Sequence, residues 1–137
     1  MPLAPKEIIQ TMMASDQMSQ WLGISVLSYL PGAVSLQMTV REEMCNGFGV
    51  THGGITYSLA DSALAFSSNA HGIQAMSIET SISHQKIVQS GDVLTVKSKE
   101  LSLSRKIGVY EMELHNQNNE LVAHFKGTVY RSGKVWE

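Results

Sequence analysis

The spacing of apolar positions changes several times along the chain, and each change predicts an element. Between Pro5 and Leu22, the residues Ile8, Ile9, Met12, Met13, Met18, Trp21 and Leu22 recur at helical spacing, and Gly23 supplies a stop. One helix is therefore predicted within residues 1–22. Residues 24–30 read as a strand and Pro31-Gly32 as a turn. Val34, Leu36, Met38 and Val40 then alternate with Ser35, Gln37 and Thr39, the pattern of a half-buried strand. Together these make a hairpin.

Residues 45–54 break both periods and carry glycines at 47, 49, 53 and 54. Residues 54–71 follow, rich in Ala, Leu and Ser, free of proline and closed by Gly72; they form the strongest helical segment of the chain. Four β-like runs come after it, at 76–87, 93–103, 107–115 and 121–130. Ser90-Gly91-Asp92 and Asn116-Gln117-Asn118-Asn119 mark turns between them. The order predicts an α+β fold in one domain spanning 1–137. A curved antiparallel sheet of about six strands has a single long helix to cover its concave face. Ser58, Ala60, Ser62, Ala63 and Ala65 are small enough to let the sheet wrap closely.

Composition adds one anomaly. The 137 residues carry 10 Lys+Arg and 12 Asp+Glu, a net charge of −2, and only 16% are charged, against about 25% in an average soluble domain. That balance offers no footprint for nucleic acid or an anionic membrane. With 43% hydrophobic residues the chain has enough apolar material for a core. Part of so thinly charged a surface is expected to be covered by another protein. Cys45 is the only cysteine, which excludes an intrachain disulfide, and no window is long and apolar enough to span a membrane. The start lacks a basic segment followed by an apolar one, so a cytoplasmic location is expected.

The shortage of charge is local. Between Glu43 and Glu79 lie 35 residues, and the only Asp, Glu, Lys or Arg among them is Asp61, midway along the long helix with Tyr57, Ser58, Leu64 and Ala65 on its face. A lone carboxylate on an otherwise uncharged helix is costly to bury without a partner, which points to a functional group. Just upstream, Thr51-His52-Gly53-Gly54 opens the helix. Glycines there leave backbone N–H groups unshielded, and the helix dipole directs positive potential outward, an arrangement suited to an anion or to an oxyanion forming on a carbonyl. Gly53 and Asp61 are eight residues apart, ~12 Å along a helix axis, so they cannot reach one reacting bond from the same chain. If they cooperate, two antiparallel copies related by a two-fold axis are required.

The string Asn46-Gly47-x-x-x-Thr51-His52-Gly53-Gly54-x-x-x-x-Leu59-Ala60-Asp61 resembles the signature of the PaaI-type hotdog-fold acyl-CoA thioesterases. Gly91-Asp92, Val109-Tyr110-Glu111 and Leu121-Val122-Ala123 extend the resemblance over residues 23–130. It implies a hotdog fold, in which the sheet wraps the long helix, and dimers that join their sheets and commonly pair into tetramers. It implies Asp61 as the catalytic carboxylate, base or nucleophile, and the Gly53 N–H as the group that polarises the thioester carbonyl. Gly54 stands beside it at the substrate. Asn46 is implied to position the water or the carbonyl, and His52 to hold the loop. A hydroxyl on the following strand assists the water in related enzymes; Ser77 matches best, with Thr80 and Ser81 nearby. The implied substrate is an aryl- or phenylacetyl-type acyl-CoA, with medium-chain fatty acyl-CoA as the competing choice. A non-catalytic acyl-CoA-binding module would use the same groove, and a hydratase of the same superfamily would need an Asp–His dyad that the segment lacks.

Other signals carry less. Lys86, Arg105 and Lys106, at strand or loop ends, are candidates for the phosphates of coenzyme A. Met12, Met13, Trp21 and Phe48 are candidates for the border of an acyl pocket. Cys45 with His52 lacks an orienting acid, which weakens it as a nucleophile–base pair. His71, His84, His115 and His124 have no metal-ligand spacing, and neither metal nor cofactor is expected. Gly47-x-Gly49 lacks the further glycine and the βαβ context of a dinucleotide site.

Overall fold

The computed structural model describes residues 2–137. Where the sequence predicts one N-terminal helix there are two, α1 (Pro5–Ser15) and α2 (Gln17–Leu22). The break is Asp16. Its carboxylate accepts hydrogen bonds from the Ser19 N–H (2.9 Å) and the Ser19 hydroxyl (2.6 Å), capping α2 instead of continuing α1. A short side chain competing for nearby backbone donors commonly ends a helix in this way. Gly23, at φ 74°, then stops α2 in the left-handed conformation, as expected.

Strands β1 (Ser25–Leu30) and β2 (Ala33–Thr39) form the predicted hairpin, and a 3-10 turn at Glu42–Met44 leads into the glycine loop. The long helix α3 runs Gly53–Asn69, starting one residue before and ending two residues before the predicted span of 54–71. Its end is fixed by Asn69. That side chain donates to Ala65 O (2.8 Å) and Ala75 O (3.0 Å) and accepts from the Ala75 N–H (2.9 Å). By drawing Ala75 back onto the helix, Asn69 starts β3 early, so this strand spans Ile73–His84 rather than 76–87. β4 (Val93–Leu103) and β5 (Ile107–His115) lie where the alternation places them, whereas β6 (Leu121–Val135) outruns its predicted end at 130 to pair with the early start of β3.

The six strands form one antiparallel sheet in the order β1-β2-β4-β5-β6-β3, wrapped around α3. Leu59, Ala63, Leu64 and Phe66 of α3 are buried against Leu36, Leu94, Met112, Leu114 and Phe125 of the sheet, all at most 1% exposed. Close approach is set at Gly127, where an added Cβ would lie 2.5 Å from Leu64 Cδ2. At the far end of α3, Glu100 accepts from the Tyr110 hydroxyl (2.8 Å) and pairs with His71 Nε2 (2.5 Å). Burial and the hydrogen bond to Glu100 hold the Tyr110 phenol well above its ordinary range. Among the described residues no helix is long and apolar enough to cross a membrane.

β3 is an edge strand, paired with β6 on one side only. Its ladder slips between Ser77 and Glu79, where Ile78 is the extra residue of a β-bulge. Cross-strand partners share a face. Ser77 sits opposite Val129, Thr80 opposite Gly127, Ile82 opposite Phe125 and His84 opposite Ala123, all on the side of α3. Ser81 and Met76, opposite the outward Lys126 and Tyr130, lie on the other side.

Candidate functional site

α3 and the inner face of β3 run antiparallel, so one strand residue stands beside each turn of the helix. His84 lies by Gly53, with Nε2 3.3 Å from where a Cβ would be, and its Nδ1 is 3.4 Å from Thr56 Oγ1. One turn on, the Tyr57 hydroxyl meets Thr80 Oγ1 at 2.6 Å. Next come Asp61 and Ser77, which line one cavity of about 230 Å³ with Met12, Ala65, Met76 and Val129. Of the three hydroxyls considered on this strand, Ser77 is therefore the one placed with Asp61. Thr80 is engaged by Tyr57, and Ser81 faces away.

The Asp61 carboxylate has no hydrogen-bond partner among the described residues and is partly buried. Burial raises its pKa above the ordinary carboxylate value, and the nearby Asp16 charge adds to this. Asp16 is tied to α3 through two hydroxyls, since Ser19 Oγ, bonded to Asp16, is 2.7 Å from the Oγ of Ser62, the residue after Asp61. The sequence pattern does not single out Asp16 near Asp61, although Asp16-x-x-Ser19 is a legible cap.

At the opening of α3, His52 is the N-cap, and its Nδ1 accepts from the Gly54 N–H at 3.3 Å. The Gly54 donor is thus engaged, while the Gly53 N–H has no acceptor among the described residues. Exchanging His52 for alanine is expected to cost ~1 kcal/mol of stability, and His52→Asn to recover most of it, as read from denaturant midpoints. Asn46 spends its side-chain oxygen on the loop, accepting from Phe48 N–H (2.9 Å) and Val50 N–H (3.4 Å). Its side-chain amide stays available as a donor. The loop is closed by the Cys45–Thr51 bridge and by Asn46 N–H donating to Val50 O at 2.7 Å.

Gly53 lines a second cavity of about 340 Å³ with Thr51, Thr56, His84, Lys86 and Val88, and no residue is common to it and the Asp61 cavity. One chain does not unite its own Gly53 and Asp61. Nor does it unite the three cations. Lys86 lies at the Gly53 end and is paired with Glu120 at 2.7 Å. Arg105 and Lys106 sit in the β4–β5 turn, at the Asp61 end of the sheet, where Arg131 reaches Ser104 O and its N–H donates to Lys106 O. His84, weighed in the sequence only for metal spacing, stands beside Gly53; its signal is the alternation Thr80, Ile82, His84 along one strand face. Met12 lines the Asp61 cavity, but Phe48 is 93% exposed and Trp21 stacks under Arg41. Among the described residues no cluster of three or more His, Cys, Asp or Glu is placed to hold a metal.

Residues 48–123 match the model of a family described as the thioesterase superfamily. The chain belongs to the thioesterase superfamily. Acyl-coenzyme A thioesterase PaaI of Escherichia coli is 34% identical to it over 122 residues, covering 89% of this chain and 87% of that protein. The solved structure of the E. coli PaaI protein from the phenylacetic acid degradation operon superposes with a TM-score of 0.93 at 32% identity, covering 97% of this chain and 96% of the other. A Streptococcus mutans protein solved bound to acetyl CoA follows at a TM-score of 0.79 and 26% identity, covering 82% and 90%. This is a PaaI-type thioesterase with the hotdog fold, as the signature around His52-Gly53-Gly54 and Asp61 implies.

Proposed function

We propose that this PaaI-type thioesterase hydrolyses acyl-CoA thioesters with an aryl or phenylacetyl acyl group, using Asp61 of one copy and Gly53 of another. The observation that carries this reading is Asp61, an unpaired carboxylate with raised pKa that shares an otherwise largely apolar cavity with the Ser77 hydroxyl. The unpaired edge of β3 supports the second copy. Twelve residues long, with Met76 68% and Ile78 59% exposed, it is a template for another strand. A two-fold axis at this edge, perpendicular to β3, sets α3 beside its antiparallel copy and brings Gly53 of one chain towards Asp61 of the other. Two such dimers then pair into a tetramer.

In the reaction the Gly53 N–H, at the positive end of α3, donates to the thioester carbonyl oxygen. Asp61 takes a proton from water held by Ser77, the water oxygen bonds to the carbonyl carbon, and the C–S bond breaks. The acid leaves, and the coenzyme A thiolate takes up the proton that Asp61 holds, which restores the carboxylate. Asp61 attacking directly would give a mixed anhydride that water then opens; heavy-oxygen label entering the carboxylate in a single turnover identifies that route. Medium-chain fatty acyl-CoA is the second reading, favoured by a groove that continues past Asp61 to the end of the chain.

The test is thiol release across a panel of acyl-CoA esters, together with the mass of the native particle. Release from phenylacetyl-CoA by a dimer or tetramer is expected. A monomer with full activity overturns the shared site, and saturable binding with no free thiol makes the chain a binding module.

A further inference from the structure

We propose that Trp136 is the gauge of acyl length: the acyl group runs from Asp61 along α3 and ends against this indole. The inference rests on the placement of chemistry at Asp61 given above. The cavity holding Asp61 and Ser77 adjoins another of about 250 Å³, and Met12, Asn69, Ala75 and Met76 line both. Together they make one groove between α1, α3 and the start of β3, with the carboxylate near one end and Trp136 at the other. Met12, Leu64, Ala65 and Ala75 give it apolar walls, with Met76 of the edge strand at its rim, and among the described residues Asp61 is the only charged group along its inner part. Lys134 and Ser132 mark the outer mouth.

The far end is fixed in place. Asn69, 2% exposed, accepts the Trp136 indole N–H at 2.9 Å with the same oxygen that receives the Ala75 N–H, while its amide is consumed by Ala65 and Ala75. Its polar groups are therefore bound away from the groove. The Trp136 backbone is held as well, its N–H donating to Gly72 O at 2.9 Å and its carbonyl accepting from Leu3 N–H at 3.2 Å. A residue pinned at its ring and at both backbone groups is a hard stop, whereas Met12, unbranched and flexible, adapts to what lies between.

The reach follows from the helix. Asp61 and Asn69 are eight residues apart, ~12 Å along the axis, and a zigzag chain with bonds of ~1.5 Å advances ~1.3 Å per carbon, so about nine carbons fill the groove. A phenylacetyl group occupies only the Asp61 end. An octanoyl chain extends to the indole, and a dodecanoyl chain collides with it.

The experiment compares kcat/KM for dodecanoyl-CoA with that for phenylacetyl-CoA in the full chain and in Trp136→Ala, with circular dichroism and melting to establish folding. The ratio is expected to rise at least ~10-fold on removal of the indole, the scale on which pocket size discriminates acyl groups. Should Trp136→Ala not fold, Met12→Trp, which narrows the groove midway, is expected to lower the ratio of octanoyl to phenylacetyl turnover by a similar factor. A folded Trp136→Ala, or else a folded Met12→Trp, with ratios within twofold of the parent overturns the gauge. Asp61→Asn separates the two ideas. If it is inactive while the ratios do not move, the groove fails and the chemistry stands; if it turns over normally, the placement of chemistry at Asp61 fails first.

Discussion

Replacing Asp61 by asparagine is expected to lower kcat for thiol release by ~10²–10⁴-fold, the span of a lost general base, while the folded chain gains stability at neutral pH. Both effects come from one charge. Burial, reinforced by Asp16, places the Asp61 pKa in the folded chain above the 3.8 it has when exposed. Above both values Asp61 is ionised in folded and unfolded chains alike, and the folded state carries the burial penalty. As pH falls through the raised value the folded chain takes up the proton first, so stability is recovered, and recovery is complete below 3.8. Asparagine carries no such penalty. Its melting temperature should exceed the parent's at pH 8 and converge with it in acid. In the parent enzyme, activity should fall with pH at a value above that of a free carboxylate, because the base must be ionised. Near-normal turnover by the asparagine variant, or identical melting at pH 8, contradicts the assignment.

The second large effect is at the contact of helix and sheet. Leu64→Ala empties a buried position that is 1% exposed and is expected to cost ~2–5 kcal/mol. Gly127→Ala puts a methyl group where Leu64 Cδ2 stands, 2.5 Å away, and is expected to cost ~1–3 kcal/mol by overpacking. Made together, the two changes relieve each other, since the new methyl group enters the space that leucine leaves. The double variant should be more stable than the sum of the single losses by ~1 kcal/mol or more. Urea denaturation of the four proteins measures it, and strict additivity would show that α3 and β6 do not share this space.

Much of this architecture is written in local patterns. The runs at 93–103 and 107–115 give strands at their true limits, and the alternation at Val34–Val40 gives β2 to within one residue, because each packs one face on the core and leaves the other to solvent. The long helix is equally legible, since its small and apolar residues have no competing turn signal. What escapes is decided by side chains acting over distance. Asn69 reaches from α3 to Ala75 and moves the start of β3, a bond that no window of sequence displays. Asp16 is legible as a cap, but seven apolar residues in helical spacing outweigh it when periodicity alone is read. The candidate site follows the same division. Asp61 stands out because nothing near it is charged, and His52-Gly53-Gly54 because glycines open a helix. That Lys86 is held by Glu120 and lies far from Arg105 depends on strand order, which the sequence does not reveal.

The bulge at Ile78 has a consequence for how β3 can vary. A pleated strand keeps strict parity, so counting back from Thr80 in an unbroken strand would turn Ile78 and Met76 towards α3 and Ser77 outward. The extra residue reverses the count, and the hydroxyl rather than two greasy chains faces Asp61. Deleting Ile78 would straighten the ladder and still leave Ser77 inward, whereas inserting a residue beside it would rotate the serine out of the cavity. The strand is therefore expected to tolerate loss of a residue at this point and not gain of one.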